Sequence, residues 1–127
     1  MGLDARTMTR RPPPDPQALL PLSPPVFHIL LALGDGEKHG YAIMSEIADR
    51  TGGGVRILPG TLYSTIKRML PLDLIVECAR PDEADSDDER RRYYRITAFG
   101  RAVAAAEAAR MAMLVRVAQK KSLAPGR

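Results

Sequence analysis

The chain of 127 residues has one cysteine, Cys78, no tryptophan, and only 5% aromatic residues. A single thiol excludes an intrachain disulfide and agrees with a reducing cytoplasm. Cys78, His28 and His39 include no pair at a metal-site spacing such as CxxC or HExxH, so neither a metal nor another cofactor is expected. The longest strongly apolar run, Val26 to Leu33, falls far short of the ~20 residues needed to span a bilayer. The N-terminal Met-Gly has Arg6 where a myristoylation signal would want Ser or Thr, and no secretory apolar region follows. A soluble, cytoplasmic protein is expected. Catalytic sets are missing as well: the carboxylates cluster in one charged loop, and no nucleophile–base pair is set up by the pattern, so no enzyme is expected.

What is present is a chain 45% hydrophobic whose core must come from Leu, Ile, Val, Ala and Met, which favours packed helices. The net charge is +4, with a pI near 9.6. Asp82, Glu83, Asp85, Asp87, Asp88 and Glu89 crowd into 81–89, and setting these six negative charges aside from +4 leaves the rest at +10. A body this basic suits a nucleic-acid partner.

In 59–70, Leu62, Ile66, Met69 and Leu70 recur at the spacing of one helical face, while Thr61, Ser64, Thr65 and Arg68 fall opposite, flanked by Tyr63 and Lys67. Hydroxyls, a phenol and two cations suit phosphate oxygens and base edges, the surface expected of a recognition helix for duplex DNA.

The flanking segments fit around it. Residues 1–21 hold Arg6, Arg10, Arg11 and five prolines, which predicts a flexible basic arm. Ser23-Pro24-Pro25 opens a first helix, with Ser23 as its cap; the apolar residues from Val26 to Leu33 bury it nearly all round, His28 among them as a core histidine, and Gly34-Asp35-Gly36 ends it. A second helix after His39-Gly40-Tyr41 carries Ile43, Met44, Ile47 and Ala48 as its stripe and stops at Gly52-Gly53-Gly54. Val55-Arg56-Ile57 reads as a short strand. Leu74 to Arg80 and Arg91 to Ile96 are rich in strand formers and read as an antiparallel hairpin with the acidic segment as its tip. Tyr93 and Tyr94 alternate faces, so one of them should pack in the core. Thr97 caps a last helix in which Phe99, Ala102, Val103, Ala106, Ala109, Met113 and Val117 form one stripe; its length and Ala-rich face predict pairing with a second copy. The alternative is that it folds back on the first helix. Residues 122–127 should be frayed.

The fold class expected is therefore mainly α with a small β-hairpin: a winged helix-turn-helix over 22–96 and a long C-terminal dimerisation helix over 97–121. DNA contacts are expected from Thr61, Tyr63, Ser64, Lys67 and Arg68, from Arg80, Arg90, Arg91 and Arg92 of the wing, and from His39 and Tyr41 where helix two crosses the backbone. Dimer contacts are expected from Phe99, Val103, Ala106, Met113 and Val117. A different reading makes the winged helix a protein-interaction module that docks through the acidic 81–89 loop.

The segment from Leu22 to Leu33, His39-Gly40-Tyr41-Ala42-Ile43, Gly60-Thr61-Leu62-Tyr63, and the run from Arg92 to Arg101 together resemble the PadR-like transcriptional regulators. The resemblance implies a winged helix-turn-helix followed by a C-terminal dimerisation helix, acting mainly as a cytoplasmic repressor, and a homodimer of this kind is expected to bind a pseudo-palindromic operator in double-stranded DNA. Members often regulate detoxification, phenolic-acid or efflux genes, and some release DNA on binding a small molecule, which here would be an unidentified effector. Two features depart from the family. Pro71-Leu72-Asp73-Leu74 stands where the family usually has an acidic stretch and Gly, so an altered helix-to-wing turn is expected. The C-terminal part is short and lacks Trp, which leaves little room for an aromatic effector pocket.

Overall fold

Prolines start two of the helices because the first turn of a helix leaves its N–H groups unpaired anyway. In the computed structural model, which describes residues 14–79 and 92–126, α1 (Pro24–Ala32) and α3 (Pro59–Met69) both begin this way. Ser23 occupies the cap position of α1, but its side chain makes no capping bond. With Pro at the first two helical positions, little is left there to cap. β1 (Lys38–His39) and α2 (Gly40–Arg50) follow α1, and β2 (Ile75–Cys78), β3 (Tyr93–Ile96) and α4 (Ala98–Lys120) follow α3.

One core joins these elements. Ile29 and Leu30 of α1, with Leu33 at its C-cap, meet Ile43 and Ile47 of α2 and Leu62, Ile66 and Met69 of α3, closed by Leu74, Ile75, Tyr94, Ile96 and Val103. The expected inner face of α3 is thus observed, with Leu70 half-buried at its edge. α1 is buried over less of its circumference than expected, since Leu31 is exposed. His28 is half-buried, with the Arg50 guanidinium 3.3 Å from its Nδ1. Burial and then the Arg50 charge hold its pKa below the ordinary histidine value.

The sheet has three antiparallel strands in the order β1-β3-β2, one more than the expected hairpin. β2 and β3 are paired from Ile75↔Ile96 to Cys78↔Tyr93, and β1 adds Lys38↔Tyr94 and His39↔Tyr93 on the other edge of β3. Alternation then sends Tyr94 into the core and Tyr93 to the outer face, where its ring meets His39 edge-on at 5.3 Å. Val55-Arg56-Ile57 forms no strand. Thr51 organises this connector instead, its hydroxyl donating to the Ile47 carbonyl at 2.8 Å and accepting from Val55 N–H at 3.0 Å.

Within the expected arm, the described residues begin at Pro14. Pro16–Leu19 is a 3-10 helix, capped by Asp15, and it packs on α4. The 3-10 form suits a proline-spaced segment because a single turn needs few N–H donors. α4 lies against α1 through its first half, as in the fold-back alternative, and then runs on past the core. Among the described residues no helix is long and apolar enough to cross a membrane.

Candidate nucleic-acid interface

The outward face of α3 follows from its inward one. Burying Leu62, Ile66 and Met69 leaves Gly60, Thr61, Ser64, Lys67 and Arg68 exposed on the opposite side, with no carboxylate anywhere in 59–70. Thr65 is the exception to the expected polar face. It is fully buried, and its hydroxyl donates back to the Thr61 carbonyl at 2.7 Å, which satisfies the only polar group the burial would strand. Ser64 makes a similar bond to the same carbonyl at 3.1 Å while staying exposed. Leu58, at the cap position, offers no side-chain acceptor, so the first N–H groups of α3 keep their affinity for an anion.

Gly60 was no candidate from the sequence. A Cβ added there would meet nothing within 4 Å, so packing does not demand glycine; the bare backbone permits close approach from outside. Arg56, exposed in the connector just before α3, is a second residue that local patterning hides, because its neighbours have the composition of a strand.

Three expected contacts sit differently from the sequence reading. Tyr63 is half-buried and turns its hydroxyl toward Gly40 at the start of α2, so a side chain at position 40 would collide with the phenol. His39 is half-buried; its Nδ1 accepts from Ala42 N–H at 3.2 Å, so it caps α2 and braces Tyr93. Arg92, exposed, lies 3.3 Å from Glu77 on the neighbouring strand, a solvent-facing pair of the kind that contributes about 0–1 kcal/mol. Tyr41 is 57% exposed, as its expected role requires. Arg80, Arg90, Arg91 and the acidic tip 81–89 lie outside the described residues.

Between α3 and the sheet is a cleft of about 340 Å³, floored by Ile66, Leu70 and Tyr94 and rimmed by Ser64, Lys67, Glu77 and Arg92. Helix and wing base therefore present one continuous surface. The model of the transcriptional regulator PadR-like family matches residues 29–106, which hold the end of α1, all of α2 and α3, the described sheet and the start of α4. This chain belongs to the PadR-like family of transcriptional regulators.

The PadR-like chain is 37% identical over 75 residues to the transcriptional regulator Rv3488 of Mycobacterium tuberculosis, covering 59% of this chain and 64% of that one. It spans less than two thirds of the length of the curated relatives it matches first. Among solved structures it resembles a transcriptional regulator from Clostridium thermocellum at 27% identity and a TM-score of 0.63, covering 76% of this chain and 87% of that one. A PadR family transcription regulator from Clostridium difficile shares the fold, with 24% identity, a TM-score of 0.59, and 77% and 97% coverage. The family is one of transcriptional regulators and not of enzymes.

At residues 71–74, where the PadR-like chain departs from the family, the backbone makes a turn between α3 and β2. Asp73 takes φ +65°, the left-handed conformation that favours glycine and that Asp tolerates better than most residues. Asp73 N–H donates to the Leu70 carbonyl at 3.0 Å and Leu74 N–H to the Met69 carbonyl at 3.3 Å, which closes the turn. The expected dimer set divides: Val103 is fully buried in the protomer's own core and Phe99 packs against that core, whereas Met113 and Val117 are exposed. Val103 is therefore unavailable to a partner, because α4 spends that part of its face on its own domain.

Proposed function

We propose that this chain is a sequence-specific DNA-binding repressor that acts as a homodimer in the cytoplasm, on a pseudo-palindromic operator. The observation that carries the reading is the outer face of α3: small hydroxyls, a bare glycine and two cations, with no acidic group, on a helix whose inner face is anchored in the core. α3 enters the major groove. Lys67 and Arg68 reach base edges or phosphates, Thr61 and Ser64 contact phosphates beside the free N–H groups, and Gly60 lets the backbone come close. Tyr41 and Arg56 add backbone contacts, and the wing brings Arg92 together with Arg80, Arg90 and Arg91.

Dimerisation is supported by the second half of α4. Met111, Met113, Leu114, Val115 and Val117 are all exposed, and Arg116 is the only charge among residues 111–118. A contiguous apolar surface of this kind calls for a partner, and a two-fold pair offers two recognition helices to half-sites about one helical turn, ~34–36 Å, apart.

The test is a fluorescence anisotropy titration of the full chain against DNA from upstream of its own gene, at 50 and 200 mM salt. Binding should weaken steeply, by roughly 10³-fold for a protein that neutralises about six phosphates. Arg68→Ala should cost about 1–3 kcal/mol at the specific site and much less on random DNA. Flat salt dependence, or equal affinity for random duplex, removes the reading.

A further inference from the structure

Glu107 is 0% exposed, in the middle of an alanine run where helical periodicity would put another apolar residue. It follows Gly100 and Val103 on the face of α4 that docks on the domain. A buried carboxylate is costly unless each oxygen is bonded, and here both are. Leu22 N–H donates to Oε2 at 2.9 Å, and the Arg110 guanidinium donates to Oε1 at 2.6 Å and to Oε2 at 3.2 Å. The Leu22 amide stands two residues before α1, beside the 3-10 turn that also packs on α4. Apolar contacts such as Val103's permit sliding and rotation. The bond from the Leu22 amide, a fixed backbone donor outside α4, does not, while Arg110, on α4 itself, holds the carboxylate in place to accept it.

Glu107 is also the last buried residue of α4. Beyond it, residues 108–120 form a lever of about 20 Å at 1.5 Å per residue, and a 10° change at its base moves the tip by roughly 3 Å, close to the ~3.4 Å rise of one base pair. We propose that Glu107, clamped between Leu22 and Arg110, sets the separation of the two recognition helices and so the spacing of operator half-sites that the protein accepts. It acts as a positioning residue with no DNA contact of its own. The inference rests on the homodimer reading.

Two measurements on the full chain test it. In a Cys78→Ser background, a nitroxide on Asp49→Cys, exposed at the end of α2, reads the distance between the two domains by pulsed electron resonance. The parent should give one narrow distribution; Glu107→Ala should at least double its width while the mass by light scattering stays that of a dimer. Glu107→Gln, which keeps an acceptor for Leu22, should fall between them. Next, duplexes selected by the parent from a randomised pool are re-spaced by one base pair between half-sites. The parent should lose roughly ten-fold or more, on the scale of a mismatched base pair, and Glu107→Ala about three-fold or less. A folded, dimeric Glu107→Ala with parental width and spacing preference overturns the inference and leaves the dimer intact. A monomeric parent overturns the dimer reading and the inference with it. Should Glu107→Ala not fold cooperatively, Glu107→Gln carries the same test, and parental behaviour in both readouts overturns the proposal.

Discussion

The two halves of α4 belong to one continuous helix and differ in what lies beside them. From Ala98 to Arg110 the helix buries Gly100, Val103 and Glu107, each against a specific group of the domain. From Met111 onward its side chains are larger and more apolar, yet none is buried. Hydrophobicity therefore does not decide which half docks. Fit does: the first half carries a glycine where a backbone must pass, a capping hydroxyl, and a carboxylate where an amide needs a partner.

The sharpest way to break that difference is at Gly100. A Cβ there would strike the Leu74 carbonyl, an atom of backbone that cannot rotate away. The same contact region is fastened by Thr97, whose hydroxyl donates to the Asp73 and Leu74 carbonyls and accepts from Gly100 N–H at 2.8 Å. Gly100→Ala should therefore cost about 3 kcal/mol of unfolding free energy, at the upper end for overpacking, despite alanine's better helix propensity. Urea denaturation measures it. A neutral or stabilising result would mean that α4 is free to shift on the domain, contrary to a fit-determined docking.

The second half should respond in the opposite way. Leu114 is 55% exposed in the protomer, so Leu114→Asp removes no contact of the domain's own core. In the homodimer it would bury an unpaired charge, at a cost of several kcal/mol to association. The expected outcome is a halved mass by light scattering and a melting temperature that no longer depends on protein concentration, with the core residues of α1 to α3 retaining their hydrogen-exchange protection. Loss of the folded domain along with the dimer would erase the distinction between the halves.

That distinction was only half legible in the sequence. Periodicity located the inner face of α3 and the outward Thr61, Ser64, Lys67 and Arg68, because both depend on residues within a few turns of one another. It also paired β2 with β3, since each strand is long enough to show its composition. β1 has two residues and exists only because β3 offers a free edge to Lys38 and His39, so no local pattern announces it. Val55-Arg56-Ile57 shows the converse: its composition suits a strand, but Thr51 takes up the backbone of its first residue. Thr65 misled because a threonine hydroxyl can satisfy itself on the preceding turn and be buried. For His39 and Tyr63 the sequence does carry a signal, since a glycine between His39 and Tyr41 hints that something approaches closely there. Glu107 had none. Its partner is an amide 85 residues away, and nothing in an alanine run reveals it.

Acid should separate the halves most gently. Bonding to Arg110 holds the Glu107 carboxyl below its ordinary 4.5, opposed by burial and aided by the Leu22 amide. A carboxylate with a depressed folded pKa contributes stability that is complete above its unfolded value and is lost as pH falls through the folded one. The docking of 98–110 should thus weaken below about pH 4.5. Asp35, held below its ordinary 3.8 by a hydrogen bond from Lys38, weakens the α1–β1 corner in the same direction but lower on the scale. Residues 111–126 contain no Asp, Glu or His, so nothing on their side chains titrates in that window. Hydrogen exchange followed from pH 7 to about pH 3 and corrected for intrinsic rates should then show protection falling in 98–110 before 111–120, beginning below about pH 4.5. In Glu107→Gln, which has no proton to gain, that early fall should vanish. Equal loss in both halves of the parent would mean that the Glu107 bonds carry no share of the docking, and that Val103 and Gly100 hold the helix without them.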